Sequence, residues 1–385
     1  MTTVAPGDAV ALTRLLVQVD SRNPGLVSGA PGEGVVARAL CGVLQSWGFR
    51  AELQEVVAGR PNVVARIGNS SGRSLMFNGH LDVVGVDGMT HAPFDASTRD
   101  GRLYGRGATD MKAGVAAMCC AAWRAAQSGL AGEIVIAAVI DEEWQSAGTK
   151  GLIDRGVRAD ACVVTEPTRL AIAPAHKGFT WTEVTFTGRA AHGSRHDVGI
   201  DAIRHAGLFL AELDRIEREE LVRQTHPLLG HASLHASSVS GGSGWSTYPD
   251  RCVVEIERRT VPGESPDDAV REMEQAVART AKSSPDVRAA VRHVFSQWPS
   301  DVAVDAPIVR ALDSAMRTTR EPVSIEGLSC WTDAALLNAA GIPAICYGPG
   351  DISIAHSATE WVVEAEITRA TGVLERLALD WCGSA

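Results

Sequence analysis

Basic residues are in the minority in this sequence. The 385 residues include 36 Lys and Arg against 46 Asp and Glu, which gives a net charge of −10. Nucleic acids and anionic membranes attract basic surfaces, so we expect neither as a partner. No run of about 18 apolar residues could form a transmembrane helix, and residues 1–25 lack the basic and apolar regions of a secretion signal. We therefore expect a cytoplasmic protein.

Paired cysteine motifs are also missing. None of the eight cysteines forms a C-x-x-C pair, and most have apolar neighbours. This pattern is typical of reduced core residues. Cys119 and Cys120 are adjacent in the helical stretch "AAMCCAAW", where neighbouring thiols are hard to bridge and are expected to pack. We do not expect a catalytic cysteine.

The chain is long enough for two domains, and 45% of its residues are hydrophobic. Apolar β-type runs alternate with amphipathic helical runs up to about residue 175, which predicts an α/β domain with a mixed sheet covered by helices. The next elements read as βαββαβ, a compact ferredoxin-like α+β unit. The α/β pattern then returns. We predict a catalytic domain of residues 1–178 and 298–385, interrupted by an inserted domain of residues 179–297.

Polar residues gather where predicted strands end. In open α/β sheets, reactive groups lie outside the carboxyl ends of the strands, where loops can approach one another. The stretches that end this way are "SLMFNGHLD" with His80 and Asp82, "EIVIAAVIDEEW" with Asp141, Glu142 and Glu143, "ACVVTEPT" with Glu166, and "AICYGPGDISIAH", which leads through a glycine turn to His356. Taken singly, such a histidine is more often a hydrogen-bonded bystander, and "DEE" is usually a solvated loop.

Asp110 lies in "GRGATDMKAG", between a glycine-rich turn and a predicted helix. Taken alone, it is best interpreted as a helix cap that accepts hydrogen bonds from first-turn amides. The other polar residues favour a different role, because carboxylates that share a cleft repel one another unless cations compensate them. His and carboxylate ligands suit zinc, and two Zn²⁺ ions would nearly balance Asp110, Glu143 and Glu166. Asp110 would then bridge both ions with one oxygen each.

The remaining acids of the cluster also receive predicted roles. Asp82 is expected to hold His80 in its ligating tautomer. Adjacent Glu142 and Glu143 cannot readily point the same way, so one is expected to bind metal while the other stays free. A free carboxylate beside a metal and its water can act as a general base.

At these residues the sequence strongly resembles the zinc-dependent family of acetylornithine deacetylases, succinyl-diaminopimelate desuccinylases, aminoacylases and glutamate carboxypeptidases. The matching landmarks run in order across nearly the whole chain: "GHLDVV", "GRGATDMKAG", "DEEWQSAG", "TEPT", "AHKG", "AAHGS", "RRTVPGE" and "GPG…AHSATEWV". The resemblance implies a zinc-peptidase-type fold and two zinc ions per chain, with Co²⁺ as a substitute. It implies that one ion is held by His80, Asp110 and Glu166, the other by Asp110, Glu143 and His356, and that Glu142 is the base.

The resemblance also implies roles in substrate binding. The inserted domain would be a lid and dimerisation domain, from which His192 reaches the neighbouring subunit's site and stabilises the tetrahedral oxyanion. Arg259 would bind the substrate carboxylate with its guanidinium fork, and Gly348 and Gly350 of the "GPG" turn would contact the substrate. Without the resemblance, Arg259 is better interpreted as a surface salt bridge, and His192 as a loop histidine bonded to backbone.

Three positions bear on which substrate is cleaved. Glutamate rather than aspartate at position 166 is, in the resembled family, typical of deacylases and carboxypeptidases, so we expect an N-acyl amino acid or a dipeptide as substrate. Ser246 stands where many members have an asparagine that helps bind the oxyanion or the substrate, and Glu257 stands where aspartate is common. These departures affect the predicted specificity, not the hydrolytic chemistry.

Two other functions are compatible with parts of the sequence. "GNSSG" at 68–72 fits the G-x-S-x-G motif of serine hydrolases, but it lies between two predicted strands and is expected to be a hairpin turn. A binding protein on the same fold would be expected to have lost a ligand or the base, and this chain has all of them. We expect an acetylornithine deacetylase-like enzyme, with desuccinylase, dipeptidase and carboxypeptidase activities as alternatives.

Overall fold

The computed structural model describes residues 4–223 and 225–383. By its internal contacts the chain forms two units. The first extends to Pro174 and resumes with Val302–Glu326 and from Thr332 onward, and the second comprises Ala175–Asp301 and Gly327–Trp331. Trp331 belongs to the second unit because its indole donates to the Trp298 carbonyl and its ring packs edge-on against Phe179.

The α-helices of the described residues are α1 (Ala9–Val17), α2 (Gly34–Ser46), α3 (Ala113–Gln127), α4 (Ala147–Asp154), α5 (Ala202–Glu219), α6 (Pro266–Ser283), α7 (Pro307–Thr318), α8 (Ala334–Ala339) and α9 (Glu364–Cys382). The strands are β1 (Arg50–Val57), β2 (Arg60–Gly68), β3 (Ser74–His80), β4 (Thr98–Arg99), β5 (Arg102–Tyr104), β6 (Glu133–Val139), β7 (Cys162–Val164), β8 (Ile172–His176), β9 (Gly178–Thr187), β10 (Thr225–His226), β11 (Gly230–His231), β12 (Ser233–Gly241), β13 (Arg251–Thr260), β14 (Ala289–Gln297), β15 (Ser300–Asp301), β16 (Ile325–Leu328), β17 (Ala344–Cys346) and β18 (Trp361–Val363).

The first unit is built on a mixed sheet with the strand order β1-β2-β6-β3-β7-β17-β8. Its centre is parallel, because β3 pairs parallel with both β6 and β7, and β17 pairs parallel with β7. The outer pairs β1–β2, β2–β6 and β17–β8 are antiparallel. Every residue of β6 and β7 is buried, as expected for strands covered on both faces.

Helices cover this sheet. The α3 and α9 helices pack against each other and against β3 and β6, while α4 and α8 contact each other and the strands β6, β7 and β17. The α3 helix is buried over most of its length, including the adjacent thiols of Cys119 and Cys120. The predicted α/β fold with a helix-covered mixed sheet is therefore confirmed.

The second unit carries a four-stranded antiparallel sheet in the order β12-β13-β9-β14. Along the chain its main elements run β9, α5, β12, β13, α6 and β14, which is the βαββαβ order that the sequence indicates. Apolar residues of α5 and α6 pack on the sheet in a separate core that includes Phe186, Phe209, Ile256 and Met273. This unit therefore has its own hydrophobic core.

The "GNSSG" segment connects β2 to β3. Both strands pair with β6 and not with each other, so the segment crosses over β6. The prediction of a hairpin turn is therefore wrong. It ends in a strand rather than a helix, which excludes a nucleophile elbow.

All eight cysteines are free thiols, as the sequence predicts, and only Cys330 is not fully buried. No helix within the described ranges has the length and apolar character needed to cross a membrane.

Candidate metal centre

The carboxyl ends of the parallel strands bring the predicted acidic and imidazole groups to one edge of the first unit's sheet. His80 is the last residue of β3, Glu142 and Glu143 follow β6, and Glu166 follows β7. Because β3 lies between β6 and β7 and runs parallel to both, the residues after these strands emerge side by side. Strand pairing alone therefore places four of the predicted residues at one site.

Asp110 lies between two histidines. Its Oδ1 is 3.0 Å from Nε2 of His80, and its Oδ2 is 3.3 Å from Nε2 of His356. The helix-cap interpretation is wrong, because α3 begins only at Ala113 and no side chain in the part of the chain that the structure describes caps it. Asp110 has an extended backbone (φ −121°, ψ 93°), and this lets each carboxylate oxygen face a different imidazole.

Two other charged residues hold the Asp110 backbone in place. The amides of Thr109 and Asp110 donate to Oε1 of Glu360, over 3.0 and 3.2 Å. The other oxygen of Glu360 accepts a hydrogen bond of 2.6 Å from Arg106, and both side chains are buried. Glu360 is not among the residues predicted from the sequence, although it lies only four residues after His356 in the landmark "AHSATEWV".

Two groups of ligand atoms meet at Asp110. His80, Asp110 and Glu166 form the first group, and Asp110, Glu143 and His356 form the second. Within them, Nε2 of His80 is 3.9 Å from Glu166, and Nε2 of His356 is 3.0 Å from Glu143. Ligand atoms bound tetrahedrally to Zn²⁺ at ~2.0–2.1 Å are about 3.3 Å apart, so both groups fit an ion of this kind.

The charge state of the centre also fits bound cations. Burial raises the pKa of Glu166 and of Glu143, and repulsion from Asp110 raises both further. Burial acts to lower the pKa of His356, but hydrogen bonds to Asp110 and Glu143 outweigh it and raise that pKa to about 11. The carboxylates thus draw protons onto the centre, as expected where metal cations would otherwise supply the positive charge.

His80 has the orientation that metal ligation requires. Its Nδ1 lies 3.0 Å from the main-chain oxygen of Asp82, which can only accept, so Nδ1 carries the hydrogen and Nε2 is left to bind a cation. The Asp82 carboxylate is farther away, at 3.6 Å. Asp82 therefore holds His80 in the predicted tautomer, but it does so through its main-chain carbonyl rather than its carboxylate.

The Asp82 carboxylate instead holds the two glutamates that follow β6. Its Oδ1 accepts from the Glu142 amide and its Oδ2 from the Glu143 amide, each over 3.1 Å. The two side chains then diverge, as the sequence predicts: Glu143 contacts His356, while Oε2 of Glu142 lies 3.9 Å from Nε2 of His80. Glu142 is outside both ligand groups, its side chain is only 10% exposed, and burial raises its pKa well above the usual range.

The glycines predicted to bind substrate have a packing role in the structure. A Cβ at Gly348 would clash with the main chain of Thr165 and Glu166, and Gly350 adopts φ 93° beside Thr109. The Gly348 amide donates to Thr168 and the Gly350 amide to Glu366. Because both amides are used within the protein, these glycines shape the turn rather than offer donors to a substrate.

In the second unit, His192 and Ser246 lie in neighbouring loops. His192 pairs in a short antiparallel bridge with Thr247, and the Gly193 amide donates to the Ser246 carbonyl over 2.7 Å. Both residues are exposed, and Nδ1 of His192 lies 2.8 Å from the Ser194 hydroxyl. The structure therefore brings together the two residues that the resemblance associates with the oxyanion.

Arg259 lies on β13 with a carboxylate partner. Its Nε donates to Oε1 of Glu257 over 2.7 Å, and Oε2 of Glu257 accepts from the Trp181 indole over 2.8 Å. The ion pair that the sequence offered as an alternative is thus present. The Arg259 side chain is still 30% exposed, and it lines a hollow of about 340 Å³ together with Lys177 and His235. One edge of the guanidinium is held by Glu257, and the side chain also borders the hollow.

The sequence is similar to those of known metallopeptidases and deacylases. The model of peptidase family M20/M25/M40 matches residues 76–380. The acetylornithine deacetylase of Myxococcus xanthus is 32% identical over 351 residues, which cover 88% of this chain and 90% of that protein. The N-formyl-4-amino-5-aminomethyl-2-methylpyrimidine deformylase of Bacillus subtilis strain 168 is 29% identical over 376 residues, 89% of this chain and 88% of that protein.

A solved structure has the same fold. The YXEP protein of Bacillus subtilis, a dinuclear metal binding peptidase from the M20 family, superposes with a TM-score of 0.72 at 18% identity and covers 98% of both chains. The family match covers most of the chain, and the deacetylase aligns over most of its length. This chain belongs to peptidase family M20/M25/M40 and is a metal-dependent amide hydrolase.

Proposed function

We propose that the protein is a dizinc deacylase that hydrolyses the amide bond of N-acyl amino acids. The observation that carries this proposal is the position of Asp110, which faces an imidazole with each of its oxygens and belongs to both ligand groups. Both groups consist of imidazole nitrogens and carboxylate oxygens, a ligand set that suits zinc, with Co²⁺ as a substitute.

Glu142 is the proposed general acid and base. When bound, the metal ions would polarise the scissile carbonyl and lower the pKa of a water molecule at the site. The Glu142 carboxylate takes a proton from this water as the new carbon–oxygen bond forms. It then delivers the proton to the amide nitrogen as the carbon–nitrogen bond breaks, which yields a carboxylic acid and an amine; the acid's proton then passes to the amine, which leaves a carboxylate and an ammonium ion. The buried position of Glu142, which favours its protonated form, suits a group that holds a proton between two transfers.

The substrate is proposed to be an amino acid with a small N-acyl group. By their names, the Myxococcus xanthus relative removes an acetyl group and the Bacillus subtilis relative removes a formyl group. We propose that Arg259 binds the α-carboxylate of the amino acid. Its partial exposure beside a hollow that also contains Lys177 supports an anionic ligand.

We also propose that the enzyme is a homodimer in which His192 of one subunit completes the site of the other. The resemblance of "AAHGS" to the family landmark and the exposure of His192 support this role. Ser194 contacts Nδ1, which leaves Nε2 to meet an oxyanion. The free state of all eight thiols agrees with the proposed cytoplasmic location.

Glu142→Gln should keep both metal ions and lose turnover. The amide is nearly isosteric but cannot accept the proton, so kcat should fall by ~10²–10⁴-fold. Steady-state kinetics on N-acetylornithine and other N-acetyl amino acids, together with metal analysis of the same sample, measure both effects. Glu52→Gln, an exposed glutamate of the same unit, is the matched control. A wild-type kcat in the metal-loaded Glu142→Gln enzyme would show that the base has been assigned wrongly.

Arg259→Ala should remove the preference for substrates with a free α-carboxylate over the corresponding amides. The wild type is expected to prefer the free acid by kcat/KM, because a guanidinium pairs with a carboxylate and not with a neutral amide. A panel of N-formyl, N-acetyl and N-succinyl amino acids, their amides and dipeptides measures this preference and identifies the acyl group. Arg251→Ala, an exposed arginine on the same strand, should leave it unchanged. Equal discrimination by Arg259→Ala and the wild type would assign Arg259 to structure.

Mixed dimers test the contribution of His192. Homodimers of Glu142→Ala and of His192→Ala should each be nearly inactive, but a dimer with one chain of each kind rebuilds one complete site. Random mixing gives half heterodimers with one intact site each, so the mixture should recover about a quarter of the wild-type activity and the purified heterodimer about half. Co-expression with two different tags isolates the heterodimer for assay.

The control for this experiment pairs Glu142→Ala with Asp110→Ala. Both changes lie in the first unit, so every site of that heterodimer is defective and no recovery is expected. If the purified, metal-loaded heterodimer with His192→Ala is as inactive as this control, His192 does not act across subunits.

A further inference from the structure

The Glu142–Glu143 pair is connected to a buried polar network that the proposed mechanism does not use. We call it the Asn23 network, and its members are Asn23, Glu33, Arg60, Asp82 and Asp141. Four of these residues are at most 4% exposed, and the Arg60 side chain is 14% exposed. All five belong to the first unit. Buried polar groups are retained in such number only when each is hydrogen-bonded.

Asn23 lies at the centre of the network. Its Nδ2 donates to Oδ2 of Asp82 over 2.8 Å and to Oδ1 of Asp141 over 3.0 Å. Carboxylates can only accept, so the amide nitrogen must face both of them, and its two hydrogens are used. Its Oδ1 accepts from the Gly25 amide and from Nη2 of Arg60. Asn23 thus fixes the distance between the carboxylates of Asp82 and Asp141. Asp82 accepts from the amides of the two glutamates, and Asp141 directly precedes them in the chain.

Arg60 supplies the positive charge of the network. Its Nε and Nη2 form a forked pair with Glu33, over 2.6 and 2.7 Å, and Nη2 also donates to Oδ1 of Asp141 over 3.0 Å. Glu33 in turn accepts from the Asp141 amide over 3.1 Å. A planar guanidinium can serve several acceptors in one plane, which an ammonium group cannot do with the same geometry.

Asp141 connects the network to the two glutamates that follow it in the chain. It adopts φ 67°, a left-handed conformation that L-residues rarely adopt outside turns. Its carbonyl accepts from the amides of Gln145 and Ser146, so the chain turns back immediately after β6. The turn directs Glu143 toward His356 and leaves Glu142 beside His80. Without the contacts to its carboxylate, Asp141 would no longer be held in this conformation, and the two glutamates would lose their fixed directions.

We propose that Asn23 and Arg60 are positioning residues that hold the Glu142–Glu143 turn in its reactive geometry through Asp82 and Asp141. The inference rests on the proposed function, since it treats Glu142 as the base and Glu143 as a metal ligand. It adds two residues that are distant in sequence from the centre and touch neither ligand group. They act on the reaction only through the backbone of the glutamates.

Arg60→Lys tests this proposal, with Arg66→Lys as the matched control. Arg66 lies on the same strand and pairs with buried Glu133, but that pair is at the start of β6 and far along the strand from Asp141. For the zinc-saturated Arg60→Lys enzyme we expect kcat to fall about 10–100-fold and zinc affinity to fall about tenfold, as for other residues that orient metal ligands. KM should stay within about twofold of wild type, because the substrate contacts are intact.

Thermal unfolding is measured on the same samples, because a merely structural role would lower the stability of both lysine variants and leave kcat and zinc affinity of the folded enzymes unchanged. An Arg60→Lys enzyme with the kcat or the zinc affinity of the Arg66→Lys control overturns the proposal. If Arg60→Lys does not fold, Asn23→Ala carries the same test with the same expectations, since it removes both donors to Asp82 and Asp141.

A double-mutant cycle separates this proposal from the proposed function. The fall in kcat is assigned to Glu142 and the fall in zinc affinity to Glu143. In zinc-saturated enzymes, adding Arg60→Lys to Glu142→Gln should therefore reduce the residual kcat by no more than about threefold, because the base is already gone. A full additional loss of about 10–100-fold would mean that Arg60 acts independently of the base and would overturn the proposal. An active Glu142→Gln enzyme, in contrast, contradicts the proposed function itself, whatever Arg60→Lys does.

Discussion

Repulsion between buried carboxylates at the edge of the parallel strands is the constraint on which the rest of this structure depends. Asp110, Glu142, Glu143 and Glu166 come together there with little or no access to solvent. Burial and repulsion between the carboxylates raise the pKa of the three glutamates, whereas the two histidines hold the pKa of Asp110 below its usual range. Two histidines face the same carboxylates, and two divalent cations would supply more charge in the same space. The strand order thus brings together a set of groups that fits metal cations.

Around this centre lies a second layer of charge that fixes the backbone of the ligand residues. The Asp110 amide donates to Glu360, and the Glu142 and Glu143 amides donate to Asp82. Neither Glu360 nor Asp82 belongs to a ligand group. Each is in turn bound by a donor side chain, Glu360 by Arg106 and Asp82 by Asn23. The centre therefore has three layers. The ligand carboxylates are innermost, the carboxylates that bind their backbone amides come next, and the side chains that donate to those carboxylates are outermost.

The sequence predicts the fold class and the members of the centre well, and the supporting contacts poorly. Residues that follow buried strands can be identified from hydrophobic pattern, and parallel pairing then brings His80, Glu143 and Glu166 together without knowledge of any side-chain contact. Glu360 is 250 residues from Asp110 in sequence, so no spacing connects them. The contacts of the Asp82 carboxylate could not be predicted for a similar reason: pattern places this residue beside His80 but does not say that its carboxylate accepts from two amides. The glycine turn at 348–350 was predicted, but not that its amides are used internally.

If Asp110 serves two metal sites at once, its removal should weaken zinc binding at both, which makes zinc binding by Asp110→Ala the decisive measurement. Zinc content and affinity are measured by equilibrium competition with a chromophoric chelator, for the variant and for the wild type, with circular dichroism to verify folding. We expect two zinc ions per wild-type chain and weaker binding of both ions in the variant. One zinc ion that binds Asp110→Ala with its wild-type affinity would contradict the bridging role, and with it the two-metal centre.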